Sequence, residues 1–512
     1  MSAVITDKFR ISNADNFVQS VLDSSNNYYI FLGLSNPTSA SKFGRTGDWE
    51  TNTPSPTDNL QYLSHYKDTI LFGKKVNSSN VRRAVRKVQW TSNKKYDMYR
   101  HDYSGTNLSP NKSSARLYDA DYYVITSEFR VYICLDNGSS GSNPTGNPSK
   151  DEPSSTGLEP FTGPTNDGYV WKYLFTVNPS DIEKFDSTEF ITLPNNWSTS
   201  DDFKAVRENG DSVLNNNQLK TVYIENGGIG YPYTGSQTFN ILGDGTGATV
   251  SLTFNSSGTI TDATIITGGT GYTYGIVDLK TSAAPTEYAK LIPIIPPSRG
   301  HGYNIYEELG SDRVLLYGKF SSETGGKEFP DDSKFAQIGL LKNPEQSTST
   351  NLFTEDTFSG LKALRLSSAP GPGSEPEIGD VITQTVTDGT AKGYVASYDS
   401  ETRVLKYYQD RSLYFVNGID QEDKTTTSTE SKVLEFGGTN VISPLGVTID
   451  QTQDSSTLTV GSKNIDLGLN FQDGVANSEI NNNTGQLLYI DNRKLISRDP
   501  NQKEEIKIIL EF

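Results

Sequence analysis

Apolar residues recur along this chain at two periods, and those periods separate a few helices from many strands. Ala14, Phe17, Val18, Val21 and Leu22 follow the i, i+3, i+4, i+7, i+8 spacing of one helix face, with Ser12 or Asn13 as the cap. A second helix is predicted after Pro56, capped by Thr57. Leu60, Leu63, Lys67, Ile70 and Leu71 lie along its side, and Gly73 is its stop. Elsewhere the period is two. Phe129, Val131, Ile133 and Leu135 alternate with Arg130, Tyr132, Cys134 and Asp136, and Tyr169, Trp171, Tyr173, Phe175 and Val177 form an aromatic row. Ile506, Ile508, Leu510 and Phe512 share one face against Lys507, Ile509 and Glu511, which predicts a final strand tied into a sheet. Each such run has one side to bury.

Between these runs lie segments with loop composition. Residues 138–166 are rich in Ser, Gly and Pro and predict an exposed loop, and Ala369-Pro370-Gly371-Pro372-Gly373-Ser374 marks another break. Residues 420–432 and 451–456 are polar and read as mobile connections. One repeat stands out: Gly227-Gly228-Ile229-Gly230-Tyr231-Pro232-Tyr233 recurs as Gly268-Gly269-Thr270-Gly271-Tyr272-Thr273-Tyr274, with Gly243-Asp244-Gly245-Thr246-Gly247 between the copies. Residues 220–290 therefore predict a small β module whose glycines turn the chain and whose tyrosines pack across strands. In a second β module Val381, Thr383, Thr385 and Thr387 alternate ahead of Asp388-Gly389, a hairpin signal.

Composition narrows the function classes. The 512 residues carry a net charge of −17, which argues against nucleic acid as the main partner because phosphate contacts need a cationic footprint. No window approaches the ~20 apolar residues of a bilayer span, and the first residues lack the basic and apolar regions of a secretory signal. Cys134 is the single cysteine, which excludes an internal disulfide and fits a reducing compartment.

Candidate chemistry is sparse. The glycine repeat brushes the calcium-binding nonapeptide, yet Pro232 and Thr273 stand where a carboxylate ligand is needed. The segment 243–248 brushes the dinucleotide fingerprint but opens a strand, so no helix end faces a pyrophosphate. His65, His101 and His301 are far apart and predict polar or capping roles rather than a zinc site or catalysis. No phosphate-binding loop or serine-hydrolase elbow occurs. Acidic pairs such as Asp201-Asp202, Asp331-Asp332 and Glu504-Glu505 are expected among 62 acidic residues and read as solvated faces. A basic stretch runs against the overall charge: Lys74, Lys75, Arg82, Arg83, Arg86, Lys87, Lys94 and Lys95, with Trp90 and Tyr96 among them. A salt-bridged surface is the plain reading. A protein interface through Arg82, Arg83, Arg86, Lys87 and Trp90 comes next, and nucleic acid last.

Taken in order, several stretches resemble one family, the dimeric baseplate wedge subunit of T-even-type contractile-tailed bacteriophages. They are Val4-Ile5-Thr6-Asp7-Lys8-Phe9-Arg10, Pro56-Thr57-Asp58 and Arg86-Lys87-Val88-Gln89-Trp90. The most specific is Asp167-Gly168-Tyr169-Val170-Trp171-Lys172-Tyr173-Leu174-Phe175. Phe335-Ala336-Gln337-Ile338 with Asn343-Pro344 comes next, then Tyr489-Ile490-Asp491-Asn492-Arg493, and last Glu504-Glu505-Ile506. The resemblance covers about 1–220, 300–346 and 484–512. It implies a mainly β fold, with a layered β-sandwich core and a few helices in loops, and two small β modules inserted into it. The parts are then 1–219, 291–346 and 484–512 as core, and 220–290 and 347–483 as inserts. It also implies a homodimer in the tail baseplate of the virion, assembled in the host cytoplasm against other wedge proteins. The family has no catalytic residue to carry over, and the chain's own residues and charge lead us to expect no cofactor, metal, nucleic-acid partner or membrane insertion. Asp167, Gly168, Tyr169, Trp171, Tyr173 and Phe175 are its core motif. The alternatives are a glycan-binding tail surface protein, through the Tyr- and Gly-rich inserts, and an envelope polysaccharide depolymerase using an Asp/Glu pair.

Overall fold

Strands form where β-branched and aromatic residues alternate with polar ones, and that pattern dominates here: the chain is mainly β, 39% strand and 13% helical, with several antiparallel sheets. The computed structural model describes residues 3–37, 49–280, 283–321, 333–387, 389–411, 433–499 and 502–512. Asp331-Asp332, the segment 420–432 and Asp388 lie outside them.

The chain divides into two compact units. The first comprises Met1–Val18, Arg82–Leu315 and Ile509–Phe512; the second comprises Gln19–Val81 and Leu316–Ile508. In the first, Tyr123–Ile125, Arg130–Asn137, Tyr169–Thr176 and Phe161–Thr162 form an antiparallel sheet in that order. A second sheet has the order Ile260–Thr270, Thr246–Phe254, Gly235–Gly243 and Gly275–Val277, with Lys290–Pro293 pairing Val222–Asn226 nearby in sequence. In the second unit, Thr357–Ser359, Ile70–Lys75, Tyr28–Gly33, Lys334–Lys342 and Gln486–Ser497 form a five-stranded sheet. Tyr29 crosses edge-on to Phe353 and Phe358 there, and its hydroxyl donates to the Phe353 and Glu355 carbonyls at 3.0 and 2.9 Å. A seven-stranded sheet has Val381–Val386, Gly389–Asp399, Val404–Tyr408 and Lys362–Arg365 at its centre.

Several elements differ from the sequence expectation. The first helix spans Asp7–Leu22, and the Thr6 hydroxyl accepts the Phe9 N–H at 3.3 Å, so Ser12 and Asn13 lie inside the helix rather than capping it. The second helix is only Leu60–Asp68, capped by the Asn59 side chain rather than Thr57. Ile70 and Leu71 belong to the strand Ile70–Lys75, because they pair with Tyr28–Gly33 and are buried. Gly73 is not a helix stop: it sits in that strand where a Cβ would lie 2.2 Å from the Phe358 ring.

Arg130–Asn137 buries both faces, since Tyr132 and Cys134 are as inaccessible as Val131 and Ile133. The alternation of Tyr169–Thr176 breaks after Trp171, so that Lys172, Leu174 and Phe175 are buried and Tyr173 is half-buried. Register shifts in its partner strand, between Val131 and Tyr132 and between Cys134 and Asp136, accompany this change of phase. The segment 138–166 is not a free loop. Asn147 donates to the Asp167 carbonyl at 2.8 Å, Ser149 is fully buried, and Phe161–Thr162 adds a strand. In 451–456 the Gln453 amide is buried and donates to the Ser455 and Thr457 carbonyls. The final strand Lys503–Glu511 follows its pattern, with Glu504, Ile506 and Ile508 buried between exposed neighbours. The Phe512 N–H donates to the Asp312 carbonyl at 3.1 Å.

Candidate functional site

The motif 167–175 is a loop anchor built on a strand. Asp167 is buried and accepts from its own neighbours: Oδ1 from the Tyr169 N–H at 3.0 Å and Oδ2 from the Lys150 N–H at 2.7 Å. Gly168 has φ +92° and a Cβ there would lie 3.1 Å from the Gly138 Cα, so only glycine fits this close approach. The Tyr169 hydroxyl accepts the Tyr96 N–H at 2.9 Å and donates to the Asn147 carbonyl at 2.7 Å. Its ring stacks on Trp171 at 5.3 Å, and Phe175 meets Trp197 edge-on. Tyr173 stands at the rim with its hydroxyl 2.9 Å from that of Thr176.

Lys172 is fully buried, and its ammonium donates to the Leu158 carbonyl and the Asn209 amide oxygen. Burial, helped by Lys220, pulls its pKa down to about 8. Burial likewise pushes the Cys134 thiol well above its ordinary range, which leaves it inert.

From Arg82 onward the basic stretch is ion-paired inside the first unit. Arg82 meets Asp181 at 2.8 Å, Arg86 meets Asp121 at 2.6 Å and Lys87 meets Asp186 at 3.1 Å. Arg83 is 1% exposed, bonds Asp15 and Asn195, and lies 4.3 Å over the Tyr306 ring. Trp90 donates its indole N–H to the Ser149 hydroxyl at 3.0 Å. With these cations neutralised, the segment 82–87 offers little free charge to a polyanion.

The histidines serve structure. His301 Nδ1 lies 2.7 Å from a Glu308 carboxylate oxygen and His65 Nδ1 lies 2.6 Å from that of Asp410, all four residues buried. His101 accepts the Ile295 N–H at 3.1 Å. Of the acidic pairs, Asp201 and Asp202 open a short helix capped by Ser200, Glu504 pairs with Arg498 at 2.7 Å and Glu505 with Lys319 at 3.4 Å. In the glycine module Asp244 is bound by Thr273, accepting its N–H at 2.9 Å and its hydroxyl. Among the described residues no group of three His, Cys, Asp or Glu side chains is arranged to hold a metal, and no helix is long and apolar enough to cross a membrane.

The second unit contains a concavity of about 560 Å³ that sequence reasoning did not find. Asp68, Lys362, Tyr407, Arg411, Glu435 and Asn482 contribute to its wall. Lys362 stands opposite Tyr407 in the strand register, and Gln409 follows two residues on, so the three share one face. Lys362 donates to both Glu435 oxygens and to Gln409 Oε1, and Arg411 Nε donates to Asp68 at 2.8 Å. Burial pushes the Asp68 carboxyl up to about 7 in spite of Arg411. These residues are scattered from 68 to 482, and the only local signal was the i, i+2 pair of Tyr407 and Gln409. No known protein family and no curated protein matches this sequence.

Proposed function

We propose that this chain is a structural subunit of a contractile-tail baseplate wedge, acting by assembly and making or breaking no covalent bond. The observation that carries the reading is the order of the family-like motifs, from Val4-Ile5-Thr6-Asp7-Lys8-Phe9-Arg10 to Glu504-Glu505-Ile506, across both ends of the sequence. The first motif presents Val4, Ile5 and Phe9 at 85%, 62% and 56% exposure, apolar surface of the kind that a neighbouring subunit covers. The motif 167–175, by contrast, is turned inward and fixes a long segment against the sheet, as a rigid scaffold for contacts requires. The function is then to bury surface against other wedge proteins and a second copy of itself, each obligate interface covering upwards of ~2,000 Å². In the virion it would relay the baseplate rearrangement that sets off contraction.

Immuno-electron microscopy of purified contractile-tailed particles tests this. Antibody to the chain is expected at the distal plate of the tail. Unlabelled particles, with the chain recovered free or on cells, would overturn the assignment.

A further inference from the structure

We propose that Lys172 and Asn209 are the partners of an intramolecular isopeptide bond, a covalent staple between the strand Tyr169–Thr176 and the helix Lys204–Gly210. The Lys172 ammonium donates to Asn209 Oδ1 at 2.7 Å, which places its nitrogen within about 4 Å of the amide carbon. Asn209 in turn donates its Nδ2–H to Glu159 Oε1 at 2.7 Å, so amine, amide and carboxylate follow one another along a chain of hydrogen bonds.

Lys172 is suited to the attack. It is fully buried, and both groups that it bonds, the Leu158 carbonyl and the Asn209 amide, are neutral. A buried cation that meets no carboxylate directly is costly, and turning it into an amide removes the charge. Its lowered pKa of about 8 leaves about a tenth of the amine neutral at pH 7, the form that acts as a nucleophile. Asn209 is half-buried and the Glu159 side chain that it bonds is 67% exposed, so the leaving nitrogen faces a way out.

The step balances without a co-reactant. The Nζ–Cγ bond forms, the Cγ–Nδ2 bond breaks, and one proton passes from Nζ to Nδ2, which departs as ammonia. Nothing is oxidised or reduced. Glu159, already on Nδ2, is placed to hand over that proton. The staple joins residues 37 apart in sequence and narrows the unfolded ensemble as a disulfide does, in a chain whose single cysteine is buried and free. The bond is made once, within the chain, and acts on no other molecule, so the subunit stays non-catalytic towards its partners.

The full-length chain is held at about pH 9, where the amine is neutral, then weighed intact by mass spectrometry and digested. Its mass is expected about 17 Da below that of the sequence, the mass of ammonia, with a branched peptide joining Lys172 to Asn209. Lys172→Arg and Asn209→Ala should each restore the full mass, and Glu159→Gln should slow the appearance of the branch about tenfold. Asn209 precedes Gly210, and a succinimide there loses the same mass, so the fragment spectrum decides between them. An unaltered mass in the native chain overturns the proposal whatever the variants do, and so does the same loss without a Lys172 branch. An unchanged rate in Glu159→Gln would overturn the part given to that carboxylate.

Discussion

Tyr231 and Tyr272 are the same residue twice in structural terms. Each follows a pair of left-handed glycines, Gly228 and Gly230 at φ +66° and +85°, and Gly269 and Gly271 at φ +65° and +82°. Each ring is buried in the core of the glycine module, and each hydroxyl accepts a backbone N–H from a neighbouring segment, Ala289 at 2.9 Å and Ala248 at 3.2 Å. The repeat thus encodes a device: the glycines fold the chain back sharply enough for a tyrosine to bond the backbone across the turn.

Tyr272→Phe should therefore destabilise the module more than Tyr231→Phe. The Tyr272 hydroxyl also donates to the Ile241 carbonyl at 2.9 Å, so its removal strands an acceptor as well as a donor. Urea unfolding followed by tyrosine fluorescence should show a loss of about 1–3 kcal/mol for Tyr272→Phe, and less for Tyr231→Phe.

The glycines separate strain from collision. Gly271→Ala meets nothing nearer than 3.8 Å, so only the left-handed backbone opposes it, at a cost of about 1–3 kcal/mol. Gly258, at φ +66°, adds a steric demand because a Cβ would lie 2.2 Å from the Tyr231 carbonyl oxygen. Gly258→Ala should lower the unfolding midpoint clearly further than Gly271→Ala; equal shifts would mean that the turn relaxes freely.

What the sequence revealed depended on whether a strand has a wet side. Lys503–Glu511 was readable because Lys503, Glu505 and Lys507 face water and mark the phase. In Arg130–Asn137 both faces are dry, so Tyr132 and Cys134 looked like outward residues when they are core. The second helix was overrun because Ile70 and Leu71 fit a helical stripe as well as a strand, and only pairing with Tyr28–Gly33 decides between them. The concavity left no trace, since its chemistry joins Asp68, Tyr407 and Asn482 through sheet pairing and loop closure rather than spacing.

Arg83 should resist conservative exchange. Its guanidinium reaches Asn195 and Asp15 from a fully buried stem while its Cζ lies 4.3 Å over the Tyr306 ring, a set of contacts that a lysine ammonium cannot reproduce. Arg83→Lys is expected to cost about 1–3 kcal/mol in chemical denaturation. Asp15→Asn should cost less than Arg83→Lys, because the asparagine Oδ1 keeps an acceptor for the buried guanidinium and only the charge is lost.

Asp68 gives the second unit a pH dependence whose sign is fixed by its burial. The carboxyl titrates near 3.8 in the unfolded chain and at about 7 in the folded one, raised by burial and by Asp410 against the pull of Arg411. Between those values the folded state holds a proton that the unfolded state has released. This contribution to stability is thus complete below about pH 4 and lost as pH rises through 7. Asp68→Asn removes the titration while keeping the side-chain shape. The stability of the native chain minus that of the variant should fall across this window by up to about 1.4 kcal/mol per pH unit, then level off above pH 7. Denaturation curves at half-unit steps would show it. A difference that stays flat, or grows with pH, would mean that Arg411 holds Asp68 ionised throughout, and that the 2.7 Å bond from the Arg411 N–H to its Oδ2 outweighs the loss of water.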